Sequence, residues 1–286
     1  MVPKMKKALF LLALATLFLP GCQATTISQK MVIPYETPKY YGPIYPLTEA
    51  VTLRYGEHPE STVSGSIEDE SYINGKHEKR QDLIHSNITT RNFGPDLEWI
   101  ATKIVNQVTI NKKKNVYDFS ETHIKTVMSK RGEYKTSDIK ISSRMIVNTR
   151  EITLDNEEKK EIEKLVRSII MFDLALPERP IAVGDDFRGS YKSLDSDSAN
   201  FELKFVLTGV TYYQGRKSYH FNVVVVLEGS PNDGILERNA EGFALFDSAR
   251  GAITYLEMAG YVRWNDSGQQ NWRKIITTRK LDTHNW

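Results

Sequence analysis

Through most of the chain, apolar residues recur at every second position. Val51, Leu53 and Tyr55 alternate with Thr52 and Arg54. Ile100, Thr102, Ile104, Asn106, Val108 and Ile110 fall on one face of an extended segment, and Ile139, Ile141, Ser143, Met145 and Val147 on one face of another. Successive side chains of a strand point to opposite faces, so this period predicts half-buried β-strands. The pattern returns in the second half. Phe201, Leu203, Phe205 and Leu207 alternate with Glu202 and Lys204, and strands are expected over 219–227, 236–246, 252–264 and 271–281. The valine run 223–226 predicts burial on both faces. Asn111 with Lys112, Lys113 and Lys114, Gln214-Gly215, Asp247 to Gly251 and Asn265 to Gly268 punctuate the runs as turns, and residues 68–81, containing Asn74-Gly75, read as either a hairpin or a mobile loop.

One segment breaks the period. Asp155 and Glu158 form a D-x-x-E capping pair, after which Ile162, Leu165, Val166, Ile169 and Ile170 follow 3.6-residue spacing as far as Leu174. Pro177 and Pro180 stop it. A long amphipathic helix over 156–174 is therefore expected to lie across the sheet. The fold class read from these patterns is mainly β (α+β), a curved antiparallel sheet or half-barrel packed on one long amphipathic helix. It forms a single β-rich domain over 48–286.

The start of the chain has another character. Lys4, Lys6 and Lys7 precede an apolar run over 8–19, followed by Pro20, Gly21 and Cys22. This is the build of a secretory signal peptide, expected over 1–21. The run is shorter than the roughly 20 residues needed to span a bilayer. Leu19-Pro20-Gly21-Cys22 resembles the lipobox of bacterial lipoproteins, with Pro20 where Ala, Ser or Thr is commoner. The resemblance implies cleavage before Cys22 by the lipoprotein processing and sorting machinery. It also implies a diacylglycerol on the Cys22 thiol, acylation of its amine by a chain such as palmitate, and anchoring in the lipid bilayer through acylated Cys22. Gln23, in place of Asp, implies the outer membrane of the cell. Residues 22–47 read as a lipidated tether in which Pro34, Pro38, Pro43 and Pro46 alternate with Tyr35, Tyr40, Tyr41 and Tyr45. Such a stretch favours extended backbone, either as a spacer or as a strip packed on its own domain.

Charge and composition narrow the function classes. Three of the 38 basic residues belong to the leader, so the remainder nearly balances the 36 acidic ones, and nucleic acid is not an expected partner. Cys22 is the single cysteine, which excludes disulfides, thiolate metal sites and a cysteine nucleophile once it is acylated. The sequence holds no G-x-S-x-G elbow, P-loop, H-E-x-x-H or dinucleotide fingerprint. Glu121 and His123 would share a strand face, but a hydrogen-bonded pair is far commoner than an acid–base site. Asp185 and Asp186 are neighbours, which a strand would point to opposite faces, so Asp185 is read as turn chemistry. Trp264 and Trp272 flank a polar turn, and shielding of a hairpin is preferred to a binding platform. No catalytic residue, cofactor or metal is nominated.

Leu176 to Phe187 is similar to the P-x-x-P-V-x-x-G-D-x-W stretch of bacterial envelope proteins, with Phe187 where Trp is usual, and Asp247 to Gly251 is similar to their D-x-x-x-G hairpins. The sheet-plus-helix pattern resembles the LolA/LolB half-barrels, in which acyl chains shelter between sheet and helices. These resemblances imply a lipid-anchored outer-membrane envelope protein, non-enzymatic, that binds an apolar ligand or an envelope protein partner. Phe201, Leu203, Phe205, Leu207, Leu165 and Ile169 are the expected ligand-facing residues. An envelope hydrolase acting on glycan or lipid is one alternative, and a structural subunit of an envelope assembly is another.

Overall fold

A computed structural model describes residues 36–160, 162–163, 175–191, 201–227, 235–266 and 268–282. Among these residues fourteen strands form one antiparallel sheet. In the first half they are β1 (His58–Ile73), β2 (Lys76–Phe93), β3 (Asp96–Ile110), β4 (Lys113–Phe119), β5 (His123–Met128), β6 (Tyr134–Lys140), β7 (Arg144–Val147) and β8 (Arg150–Thr153). The second half supplies β9 (Asp186–Tyr191), β10 (Phe201–Tyr213), β11 (Arg216–Leu227), β12 (Ile235–Asp247), β13 (Ala252–Asp266) and β14 (Gln269–Asp282). Their order is β8-β7-β4-β3-β2-β1-β14-β13-β12-β11-β10-β9, with β5 and β6 branching from β3. The first and last long strands thus meet in the middle of the sheet, Val63 opposite Leu281. Asn74-Gly75 and Gln214-Gly215 make tight hairpins, every one of these residues lying at positive φ.

β3 departs from the alternation read in its sequence. Leu97, Trp99 and Ala101 are buried on one face, and so are Ile104, Asn106 and Val108. Lys103, at φ 51, is the extra residue of a bulge: Thr102 opposes Asn87 while Val105 opposes His85. Ile100 and Thr102 therefore face away from Ile104, not with it. The bulge bends β3 where its edge changes partner, from β5 along Leu97 to Ala101 to β4 along Ile104 to Ile110.

A sheet of this many twisted strands curls rather than staying open. Its inner face carries two apolar cores. One gathers Phe187, Leu203, Phe205, Leu207, Phe221, Val223, Ala244, Phe246 and Leu256 with Leu53, Leu176 and Ile181 from the connecting segments. The other gathers Val63, Ile88, Trp99, Ala101, Ile104, Phe119, Ile124 and Leu281 with Met145, Leu154 and Ile162. Val223 is fully buried but Val224 is 39% exposed, so the valine run is covered on one face only.

Residues 37–46 cross the outer face of β10 to β12. Tyr45 exchanges backbone hydrogen bonds with Val210 (2.7 and 3.0 Å), along the edge of β10 that β9 leaves uncovered. The Tyr40 ring lies 5.1 Å from His220 and 5.5 Å from Phe243, and its hydroxyl meets Thr211 Oγ1 at 2.7 Å.

The expectation of a sheet packed on one long amphipathic helix is corrected. Of the described residues 69% are strand and 3% helix, and no long helix is among them. Asp155 and Glu158 do form the reciprocal cap, Glu158 N donating to Asp155 Oδ1 at 2.8 Å and Asp155 N to Glu158 Oε2 at 2.9 Å. Helical backbone is described only over 156–160 and 162–163, of which Ile162 reaches a core. A helix draws its stability mainly from burying an apolar face. Here the inner face is filled chiefly by side chains from facing strands and by the segments around Leu53, Leu176 and Ile181. Of the expected architecture, the antiparallel sheet remains.

Candidate functional site

The inner face opens into a cleft between the two cores. One rung of the sheet makes its floor. His58 on β1 pairs with Thr90 on β2, Thr90 with Trp99 on β3, and Trp99 with Thr126 on β5. Because paired residues share a face, all four side chains point to the same side. Ile88 and Met128 extend the floor, while Ala252 and Ile253 of β13 and Arg279 and Leu281 of β14 form the facing wall. Tyr55 and Gly56 close one end, and the cavity measures about 60 Å³.

Two turns hold that end in place. Asp247 Oδ1 accepts the amides of Ala249 (2.9 Å) and Arg250 (3.0 Å), which tightens the turn between β12 and β13. Gly56 N then donates to Gly251 O at 3.0 Å, and Tyr55 N to Lys130 O at 2.8 Å. Both glycines are required by the closeness of the two backbones. A Cβ on Gly56 would sit 2.4 Å from Arg250 O, and one on Gly251 would sit 2.3 Å from Arg54 O. The D-x-x-x-G motif thus clamps the lip of the cleft.

The electrostatics of the cleft are simple. Burial, with the nearby Arg250 cation, pushes His58 down to about 4 against a weaker opposing pull from Asp247, so the imidazole is neutral at pH 7. His58 is 5% exposed and its Nδ1 has no protein hydrogen-bond partner. Arg279 is the one lining residue that is ionised at neutral pH; no Asp, Glu, Ser or Cys lines the cleft among the described residues. Farther along the inner face, Arg273 Nε donates to Asp69 Oδ1 at 2.9 Å and Arg80 Nε to Asp82 Oδ2 at 2.8 Å. Burial raises the Asp82 carboxyl despite its Arg80 partner. These groups satisfy one another across β1, β2 and β14 and do not line the cleft.

Of the residues expected to face a ligand, Leu203, Phe205 and Leu207 lie together in the first core. Phe205 stacks on Phe187 at 5.2 Å and meets Phe221 edge-on at 6.4 Å. Leu165 and Ile169 lie outside the described residues, as do Cys22 and Gln23, and the side chain of Phe201 is likewise not described. Asp185 Oδ2 accepts from Ala182 N at 3.0 Å and from Arg179 at 2.8 Å, bonds that lower its carboxyl, while Asp186 lies near Lys204. Glu121 engages Ser142 (2.7 Å) and Arg144 (3.1 Å), separately from His123. Trp272 pairs with Arg263 and Trp264 with Asn271, which sends the two indoles to opposite faces and rules out a shared platform.

His58, Thr90, Trp99, Thr126 and Arg279 were not nominated from sequence. Their juxtaposition follows from strand register, which brings together residues tens of positions apart and leaves no short spacing to read. No cluster of three or more metal-ligating side chains occurs among the described residues.

No family model matches this chain, and no curated protein does. Among solved structures it is similar to a β-barrel-like protein of domain of unknown function DUF1849 from Brucella abortus, at 9% identity and a TM-score of 0.31, over 80% of this chain and 100% of the other. It is also similar to a DUF1329 family protein from Desulfovibrio piger, at 9% identity and a TM-score of 0.19, over 78% of this chain and 84% of that one.

Proposed function

We propose that this chain is a lipid-anchored outer-membrane protein that binds an apolar ligand by one end in the cleft between its two cores, without catalysing a reaction on it. The cleft itself carries the reading. Ile88, Trp99, Met128, Ile253 and Leu281 supply an apolar lining, and a few polar groups are set among them, which is the usual composition of a small-molecule site. At about 60 Å³ the cleft accommodates the end of a ligand and not a whole acyl chain. A hydrolase reading draws less support, because the lining offers neither a carboxylate pair nor a Ser/His pair. The anchor rests on the lipobox resemblance at Cys22.

The test has two readouts. In cells supplied with a clickable fatty acid, the chain should be labelled and Cys22→Ser should not; label persisting in that variant would end the lipoprotein reading. The mature chain with Cys22→Ser should bind a fluorescent apolar probe, and Met128→Trp, which fills the cleft, should abolish that binding. A protein that ignores the probe, or a filled variant that still binds it, would refute the cleft as the site.

A further inference from the structure

We propose that the domain rests on the bilayer that holds its anchor, through a patch of tyrosine and isoleucine side chains on the strap formed by residues 37–46 and on the adjoining end of β10. The proposal depends on the anchor at Cys22 and adds the face that the folded domain turns toward the membrane. The strap has a built seat. Gly209, at φ 154, marks an irregularity in the pairing of β10 with β11, and a Cβ there would sit 2.5 Å from Tyr45 O and 2.8 Å from Ile44 Cγ2. Thr211 Oγ1 donates to Pro43 O at 2.8 Å and also meets the Tyr40 hydroxyl. Thr37 bonds to Glu241 at one end of the strap, and Tyr45 exchanges backbone bonds with Val210 at the other.

A strap held this firmly also holds its outward side chains in place. Tyr40 turns its ring in against His220 and Phe243, so Tyr41, the next residue of an extended segment, turns out and is 92% exposed. Tyr45 meets Tyr212 edge-on at 6.2 Å, yet both remain exposed, as does Ile44. These four make up nearly half of the nine exposed large hydrophobic side chains among the described residues, which is a patch and not a scatter. Tyrosine suits a membrane surface, where its ring enters the headgroup layer and its hydroxyl stays wet. Lys217 is exposed and pairs with Tyr212, so its ammonium lies on the same face, where it can meet lipid phosphates. Position in the chain selects the bilayer as the occupant. Residues 23–36 join the strap to Cys22, and fully extended they span at most about 50 Å. A tether that short keeps the patch at high local concentration beside the lipid, so a contact too weak to recruit a free domain suffices to orient an anchored one.

Cys22 is the single cysteine, so the mature chain, expressed without its leader, can be coupled through that thiol to a maleimide lipid in vesicles of phosphatidylethanolamine and phosphatidylglycerol. Hydroxyl-radical footprinting read by mass spectrometry then compares the tethered chain with the same chain free in solution. Tyr41, Ile44, Tyr45 and Tyr212 should be oxidised several-fold less on the vesicles, while Phe93 and Ile146, exposed in the first half of the sheet, should be oxidised as before. The double variant Tyr41→Ser with Tyr212→Ser should lose the protection of Ile44 and Tyr45, and continued protection of the buried Phe205 shows that it is folded. Unchanged oxidation of the four residues, equal protection of Phe93 and Ile146, or protection that survives the double variant would overturn the patch as the membrane face. Protection already present in the free chain at the same concentration would give the face to a second copy and overturn it as well. The tether here is chemical, so these failures count against the patch alone. A chain that takes up no fatty-acid label in cells would instead remove the anchor, and this proposal with it.

Discussion

Removing a single residue from β3 gives opposite outcomes depending on which residue goes. Lys103 is the extra residue of the bulge, so without it Thr102 still faces out and Ile104 still faces in. Both halves of β3 also keep their partners on β2. Deleting Lys103 relieves a left-handed backbone that costs a non-glycine residue about 1–2 kcal/mol. It also straightens the strand where β5 gives way to β4. The two effects oppose, and the net change should stay within about 2 kcal/mol. Deleting Val105 offers no such escape. Either residues 106–110 reverse faces, exposing Val108 and burying Gln107, or the bulge closes and Lys103 takes the buried place of Ile104. Exposing one such aliphatic side chain costs about 1.5–3 kcal/mol, and burying an unpartnered polar group adds about 1–3. The loss should therefore be at least about 3 kcal/mol, a large share of the stability of an ordinary domain. Urea titrations followed by circular dichroism would give both values. Equal losses, or a larger one for Lys103, would refute the bulge and the face assignment built on it.

Acid should weaken the fold through two buried histidines. Burial lowers both His58 and His220 to about 4, from 6.5 when unfolded, so the unfolded chain binds more protons between those values. Their contribution is complete above pH 6.5 and is lost as pH falls toward 4, amounting to about 3 kcal/mol for each. Replacing both by Gln should flatten the stability profile over that window, and a profile as steep as before would exclude them as its source. In the first core, Phe205→Ala should cost about 3–5 kcal/mol. Val224→Ala, at an exposed position, should stay within about 0.5, and similar melting shifts for the two would contradict the facing of β10 and β11.

Alternation, read residue by residue, located most of the strands because half-buried sheets impose a period of two on their side chains. It failed where the backbone itself breaks that period. Nothing in Ala101-Thr102-Lys103-Ile104 marks a bulge, since a lysine at positive φ leaves no compositional trace. The valines of β11 were misjudged for a different reason. β-branched residues favour the pleated backbone whether or not both faces are covered, so Val224 looks like Val223 in sequence. The helix expectation at 156–174 read a genuine local signal, the cap at Asp155 and Glu158. Local periodicity does not say whether facing strands already occupy the core. The turn roles of Asp185 and Asp247 were legible because they depend on near neighbours, whereas the rung from His58 to Thr126 depends on register between four strands.

The pairing of β1 with β14 bears on how the protein is made. The strand that enters first must wait for the strand that enters last, because Val63 meets Leu281 only when nearly the whole domain is present. Contacts so distant along the chain slow folding. Until they form, each half of the sheet ends in a long unpaired edge of the kind that recruits other chains. A chain shortened before Gln269 would leave both halves in that condition permanently. The solubility of the whole domain is thus decided by its last fourteen-residue strand, which makes the interval before that strand emerges the most vulnerable moment in the life of the protein.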